Sequence, residues 1–176
     1  MKFFKKAPET EKIVKSLKDN NGIYLVPAFT GLGAPHWNAN SRGVLSGITR
    51  DTSPKEIVRA TIEAVAYQTY DLFEAMKHDG LRPKIVKVDG GMVMNNWFSQ
   101  FLSDVVNVKV LRPKVQETTA AGAAFMAGLQ IGVYKSLKDI SKNWHLDRNF
   151  SPRMKNNSRN ILIKGWSTAI KRTLIN

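Results

Sequence analysis

From residue 54 to residue 132 the chain alternates helix, strand, helix, strand, helix, and this order restricts its fold more than any other feature. The first helix is signalled by Ser53-Pro54-Lys55-Glu56, with a capping serine, a proline suited to the first turn and a glutamate three residues past the cap. Val58, Ile62, Val65, Thr69, Leu72 and Met76 then recur at steps of three and four, predicting one apolar stripe that Gly80 can end. Ile85 to Val88 is a β-branched run of strand character, stopped by Asp89-Gly90-Gly91. Asn95 or Asn96 can cap the next helix, whose apolar positions are Phe98, Phe101, Leu102 and Val105. Val108 to Leu111 gives a second strand, halted at Arg112-Pro113. Residues 117–132 form a helix crowded with small side chains, with Thr118 or Thr119 as cap and Gly132 as stop. Such alternation implies an α/β domain of parallel strands joined by right-handed crossover helices.

The joint at residues 85–96 is where chemistry can enter. A strand, a glycine turn and a helix N-terminus in that order let a nucleotide lie against bare backbone. The same order also describes an ordinary strand–turn–helix joint, and these residues alone leave both readings open. The small side chains of 117–132 are equally ambiguous, since they suit tight helix–sheet packing or a nearby ligand.

Around this centre the expected elements are simpler. Residues 7–21 hold Ile13, Val14 and Leu17 among charges, predicting a short helix that ends near Asn20-Asn21-Gly22. Ile23 to Val26 and Val44 to Ile48 read as short strands. The glycine- and asparagine-rich loop between them, residues 28–43, is long enough to be functional or packed on itself. Its Gly31 and Gly33 do not continue into a dinucleotide-binding pattern, because Pro35 and His36 follow. A last helix is expected from about Ser158 to Leu174, burying Leu162, Trp166, Ala169 or Ile170, and Thr173 or Leu174. We expect three regions: an N-terminal extension over 1–21, the main lobe over 22–134 and a basic segment over 135–176.

Composition narrows the partners. The chain has 176 residues, 43% of them hydrophobic, which suffices for a core. It has no cysteine, excluding disulfides and thiolate metal sites and suiting a cytoplasmic location. No apolar run approaches the roughly 20 residues that span a bilayer, and the basic start lacks the apolar core of a signal peptide. Net charge is +13, of which +8 falls in residues 135–176 and only +2 in residues 21–134. Without an aromatic-interleaved arginine pattern, this excess predicts a solvated basic face, and neither nucleic acid nor membrane is expected as a partner.

Several stretches carry a family resemblance. Val26-Pro27-Ala28-Phe29-Thr30-Gly31-Leu32-Gly33-Ala34-Pro35-His36-Trp37, then Arg42-Gly43 and Gly47-Ile48-Thr49-Arg50, resembles the C-terminal part of the FGGY family of carbohydrate kinases. Gly43-x-Leu45-x-Gly47-Ile48, seven residues and Glu56-Ile57-x-x-Ala60-Thr61-Ile62-Glu63 is similar to that family's second signature. Tyr67-Gln68-Thr69, Val88-Asp89-Gly90-Gly91, Asn95-Asn96 and Glu117-Thr118-Thr119-Ala120-x-Gly122-Ala123-Ala124 follow in the family's order, so the resemblance covers about residues 9–170. Within the family it is nearest the glycerol-phosphorylating branch, ahead of those acting on xylulose or gluconate. His36 stands where tyrosine is common and Ala121 where leucine is usual.

The resemblance implies a partial ribonuclease-H-like lobe of the actin and hexokinase type, with ATP and substrate in a cleft between two lobes. By position, Gly91 and Asn95, with Gly90 beside them, would contact the adenine nucleotide. Thr30, Gly31 and Gly33 would belong to a loop near the cleft, and Mg²⁺ would arrive with the ATP. The family's catalytic aspartate, phosphate-gripping loop and glycerol-binding residues lie N-terminal to everything in this sequence, as do the lobe's first strands. No catalytic or metal-binding residue is therefore expected here, and the chain alone should be inactive. A separate N-terminal kinase chain is a candidate partner, with glycerol bound only by the intact enzyme. The edge of strand 85–88 should be unpaired and apolar. The alternatives are a non-catalytic remnant, a fragment acting on another polyol or sugar, or a basic nucleic-acid-binding module.

Overall fold

The computed structural model describes residues 3–175. In chain order its elements are α1 (Glu9–Lys15), β1 (Tyr24–Val26), β2 (Val44–Ser46), α2 (Pro54–His78), β3 (Ile85–Lys87), a 3₁₀ turn (Gly91–Met94), α3 (Asn96–Val106), β4 (Lys109–Pro113), α4 (Thr118–Gln130), α5 (Leu137–Ser141), β5 (Leu146–Phe150) and α6 (Asn156–Leu174). Strands β1 and β2 form an antiparallel pair, and β3, β4 and β5 form a second sheet in that order. Within it β3 and β4 are parallel, with α3 as the crossover.

Two helix starts follow the sequence closely. Ser53 accepts a bond from the Lys55 N–H while Glu56 accepts from the Ser53 N–H at 2.9 Å, closing the capping box on α2. At α3 the cap is Asn95, whose side-chain oxygen accepts from the Phe98 N–H at 3.0 Å. The buried face of α3 carries Phe98, Phe101, Leu102 and Val105, as its spacing predicts.

The core forms where α2, α3 and α6 meet. Tyr67 stacks on Trp166 at 5.3 Å, meets the edge of Phe101 at 5.6 Å and lies 5.8 Å from Tyr24. Beside it lies a buried polar cluster. Glu63 is fully buried and accepts from Arg59 Nε at 2.7 Å, Asn20 Nδ2 at 3.0 Å and the Tyr67 hydroxyl at 3.1 Å. Burial pushes the Glu63 carboxyl above the ordinary carboxylate range, although Arg59, Tyr67 and Asn20 each pull it back.

That cluster explains where the α2 stripe departs from its expected position. The helix buries Ala60, Glu63, Ala64, Tyr67 and Phe73, whereas Val65, Leu72 and Met76 remain 37%, 41% and 40% exposed. Alanines admit α3 at close range, and Glu63 is buried because its acceptors are filled; a count of large apolar residues registers neither. Helix α1 ends at Lys15, short of the predicted Asn20–Gly22 stop. On α4 neither threonine caps: Glu117 holds the N-cap position and makes no side-chain bond there. Strand β5, antiparallel to β4, makes the sheet mixed. Only Phe150 of β5 is buried, so Leu146–Phe150 offers no alternating hydrophobic signal.

Helix α6 buries Trp166, Ala169, Ile170 and Thr173 against the same core. Strand β3 is the open edge of its sheet, and Ile85 there is 53% exposed. None of the helices among the described residues is long and apolar enough to cross a membrane.

Candidate nucleotide site

The chain leaves β3, turns at Gly90 with φ of +85°, and enters the 3₁₀ turn that ends at the Asn95 cap. Only glycine adopts the Gly90 conformation at low cost. The Gly90 N–H donates to the Gln116 carbonyl at 3.2 Å, tying the turn to the segment after β4.

Gly91 is glycine for a different reason. Its φ lies outside the left-handed region, and a Cβ added there would meet no atom within 4 Å. Neither backbone strain nor packing within the chain requires a missing side chain at this position. What the glycine leaves free is part of a cavity of about 510 Å³, within the roughly 300–1,000 Å³ of small-molecule sites. Gly91, Met92, Met94 and Asn95 form one wall, Ala7, Pro8, Thr10 and Glu11 of α1 and its approach form another, and Phe4 and Ile62 complete it.

Polar contacts hold the two walls together. Asn95, while capping α3, donates from Nδ2 to Thr10 Oγ1 at 3.4 Å. The Asn96 N–H donates to Glu11 Oε2 at 3.3 Å. Burial pushes the Glu11 carboxyl up, but Lys15 and the Asn96 N–H outweigh it and hold it below its usual value. The lining contains no lysine or arginine, and its one charged group is this carboxylate. A flat, neutral heteroaromatic ring fits the apolar walls; a phosphate chain would find no free cation among the described lining residues, where Glu11 is already paired with Lys15.

Gly90, Gly91 and Asn95 thus come together in one turn, with Gly91 and Asn95 lining one cavity. Thr30, Gly31 and Gly33 lie elsewhere. Their loop docks on α2 and α6, where His36 Nε2 meets Asp71 Oδ2 at 3.1 Å, Trp166 Nε1 donates to the same oxygen at 2.8 Å, and Ser41 Oγ donates to the Thr173 carbonyl at 3.3 Å. A Cβ on Gly31, whose φ is +101°, would fall 2.7 Å from Ala39 Cα, so that glycine serves the loop's own packing. Thr30 and Gly33 are exposed. The sequence reading missed the wall supplied by Ala7, Pro8, Thr10 and Glu11. Pro8 beside a helix start was its only signal.

A second cavity, of about 570 Å³, opens between α4 and the loop around Trp144, with Lys87 4.2 Å over the Trp144 ring. Among the described residues no three His, Asp or Glu side chains converge into a metal-binding group.

Comparison with known proteins places this geometry. Residues 4–131 match the model of the FGGY family of carbohydrate kinases, C-terminal domain. Glycerol kinase 1 of Pseudomonas aeruginosa is 52% identical over 172 residues, covering 98% of this chain and 35% of the relative. The glycerol kinase of Gluconobacter oxydans is 48% identical over 175 residues, covering 99% and 34%. The crystal structure of Plasmodium falciparum glycerol kinase with ADP superposes with a TM-score of 0.86 at 33% identity, covering 99% of this chain and 35% of that one. A xylulose kinase from Lactobacillus acidophilus shares the fold at TM-score 0.75 and 22% identity. The chain spans about a third of the length of the curated relatives it matches. It belongs to the FGGY family of carbohydrate kinases, and what it carries is the C-terminal domain of that family in the form found in glycerol kinases.

Proposed function

We propose that the cavity beside Gly91 takes the adenine end of ATP, and that the chain is the nucleotide-holding part of an enzyme converting ATP and glycerol to ADP and glycerol 3-phosphate. The observation that carries this is Gly91 itself, left without a side chain at a cavity wall although nothing in the chain demands it. Gly91 and Asn95 would hold the ring, with Gly90 setting the turn. ATP, with its Mg²⁺, supplies the transferable phosphoryl group. The similar Plasmodium falciparum glycerol kinase, whose crystal structure is with ADP, supports an adenine nucleotide as the ligand. Phosphoryl transfer depends on positioning and charge stabilisation around the phosphates. The apolar cavity with its single carboxylate provides neither, so both must come from other polypeptide.

Exposed apolar side chains on several elements fit burial by that second polypeptide. Val65, Leu72 and Met76 on α2, Ile85 on the open β3 edge and Met126 on α4 are all more than a third exposed. Chain corresponding to the remaining two thirds or so of the relatives, joined or separate, would cover these side chains and pair the edge. The chain alone, given Mg·ATP and glycerol, is expected to form no glycerol 3-phosphate. Co-expression with the N-terminal portion of a glycerol kinase relative is expected to give a co-purifying complex with glycerol-dependent ATP turnover. Turnover by the isolated chain, or an inert complex that still binds ADP, would contradict this assignment.

A further inference from the structure

The 3₁₀ turn carrying Gly91 is short: the Met92 carbonyl takes the Asn95 N–H at 3.1 Å and the Val93 carbonyl takes Ser99 Oγ at 2.9 Å, and the carbonyls of Val93 and Met94 have room for a further donor. They find one in Arg112, at the end of β4, which is only 6% exposed. Arg112 Nη1 donates to the Val93 carbonyl at 2.8 Å, lies 3.5 Å from the Met94 carbonyl and 3.3 Å from Asn96 Oδ1. On the other side of the guanidinium, Nε and Nη2 both reach Asp147 Oδ2 of β5 at 2.7 Å. The ring of Phe150 lies 5.6 Å from the guanidinium carbon. Asn96 Oδ1 is fixed a second time, by Arg148 Nη1 at 2.9 Å.

A buried guanidinium with a single carboxylate partner is costly, and its position needs a return. Nε and Nη2 are held by Asp147, which leaves Nη1 aimed at the turn that carries the nucleotide-facing residues, and Arg112 does not line the cavity. We propose that Arg112 is a positioning residue for the nucleotide site, a brace anchored by Asp147 that holds Val93, Met94 and Asn96, and through them Gly91 and Asn95, in the conformation that receives the purine. The inference rests on the cavity being the nucleotide site. Its planar fork is what the role requires: a lysine keeps the charge but cannot reach Asp147 and the Val93 carbonyl at once.

The test is a titration of this chain with ADP, alongside amide hydrogen exchange and thermal unfolding, for wild type and R112K. We expect R112K to bind ADP at least tenfold more weakly and to exchange faster at Val93 to Asn96, with α2 and α6 protected as in wild type. Asp147 is 40% exposed and asparagine keeps an acceptor in its place, so D147N provides a milder second variant should R112K not fold. It is expected to weaken ADP about threefold, with the same local gain in exchange. Wild-type binding with R112K or D147N equal to wild type in affinity and in exchange over 93–96 would overturn the brace. Faster exchange with undiminished affinity would overturn it too, as a purely structural contact. A wild-type chain that fails to bind ADP at all would overturn the nucleotide reading, and the brace with it.

Discussion

Gly91→Phe is expected to weaken ADP binding by roughly 100-fold, equivalent to about 2.7 kcal/mol, while the melting temperature stays within about 2 °C of wild type. The two halves of this result come from the same geometry. A Cβ at residue 91 meets nothing of the chain within 4 Å and φ there is ordinary, so the fold tolerates a side chain. The space that the ring enters is the cavity between the 3₁₀ turn and α1, so a ligand loses what the phenyl group occupies. In the assembled enzyme the same change is expected to raise KM for ATP more than KM for glycerol. An unchanged ADP affinity in the folded variant would remove Gly91 from the site. The measurement is calorimetric titration with ADP beside a thermal melt.

Glu63→Ala is expected to cost about 3–5 kcal/mol and to lower the melting temperature by on the order of 10 °C. Glu63 is fully buried and takes three donors, and its removal strands the Arg59 guanidinium, whose side chain is 9% exposed. Arg59 keeps the Leu17 carbonyl at 2.7 Å and its position over the Trp97 ring at 5.0 Å, which limits the loss. Glu63→Gln retains an acceptor of the same shape and is expected to cost clearly less. Equal losses for the two variants in urea unfolding would show that the lost carboxylate charge beside Arg59, rather than the cavity that alanine leaves, dominates.

Different physical signals explain why some of this molecule was legible in the sequence and some was not. Local chemistry read well: the Ser53 and Glu56 capping box, the spacing of Phe98, Phe101, Leu102 and Val105, and the glycine turn are each decided by neighbours a few residues apart. The parallel pairing of β3 and β4 followed from the alternation of elements. Long-range terms were harder to see. The roll of α2 is set by Asn20 reaching Glu63 across 43 residues and by Tyr67 packing on Trp166, so the helix hides Glu63 and shows Leu72. Strand β5 gains its place from pairing with β4 and from the Arg112–Asp147 bond, with almost no apolar pattern of its own. The site divides in the same way. Gly91 and Asn95 sit in one turn and were readable together, whereas Thr10 and Glu11 reach Asn95 and Asn96 from 85 residues away.

An amide-resolved NMR titration of the ¹⁵N-labelled chain with ADP reaches the central question most directly. Saturable shifts are expected at Gly90, Gly91 and Asn95 on one wall and at Thr10 and Glu11 on the other, with inorganic pyrophosphate producing none of them. Shifts confined to Phe125, Trp144 and His145 around the other cavity, or no shift at millimolar ADP, would contradict the assignment of this turn to the purine.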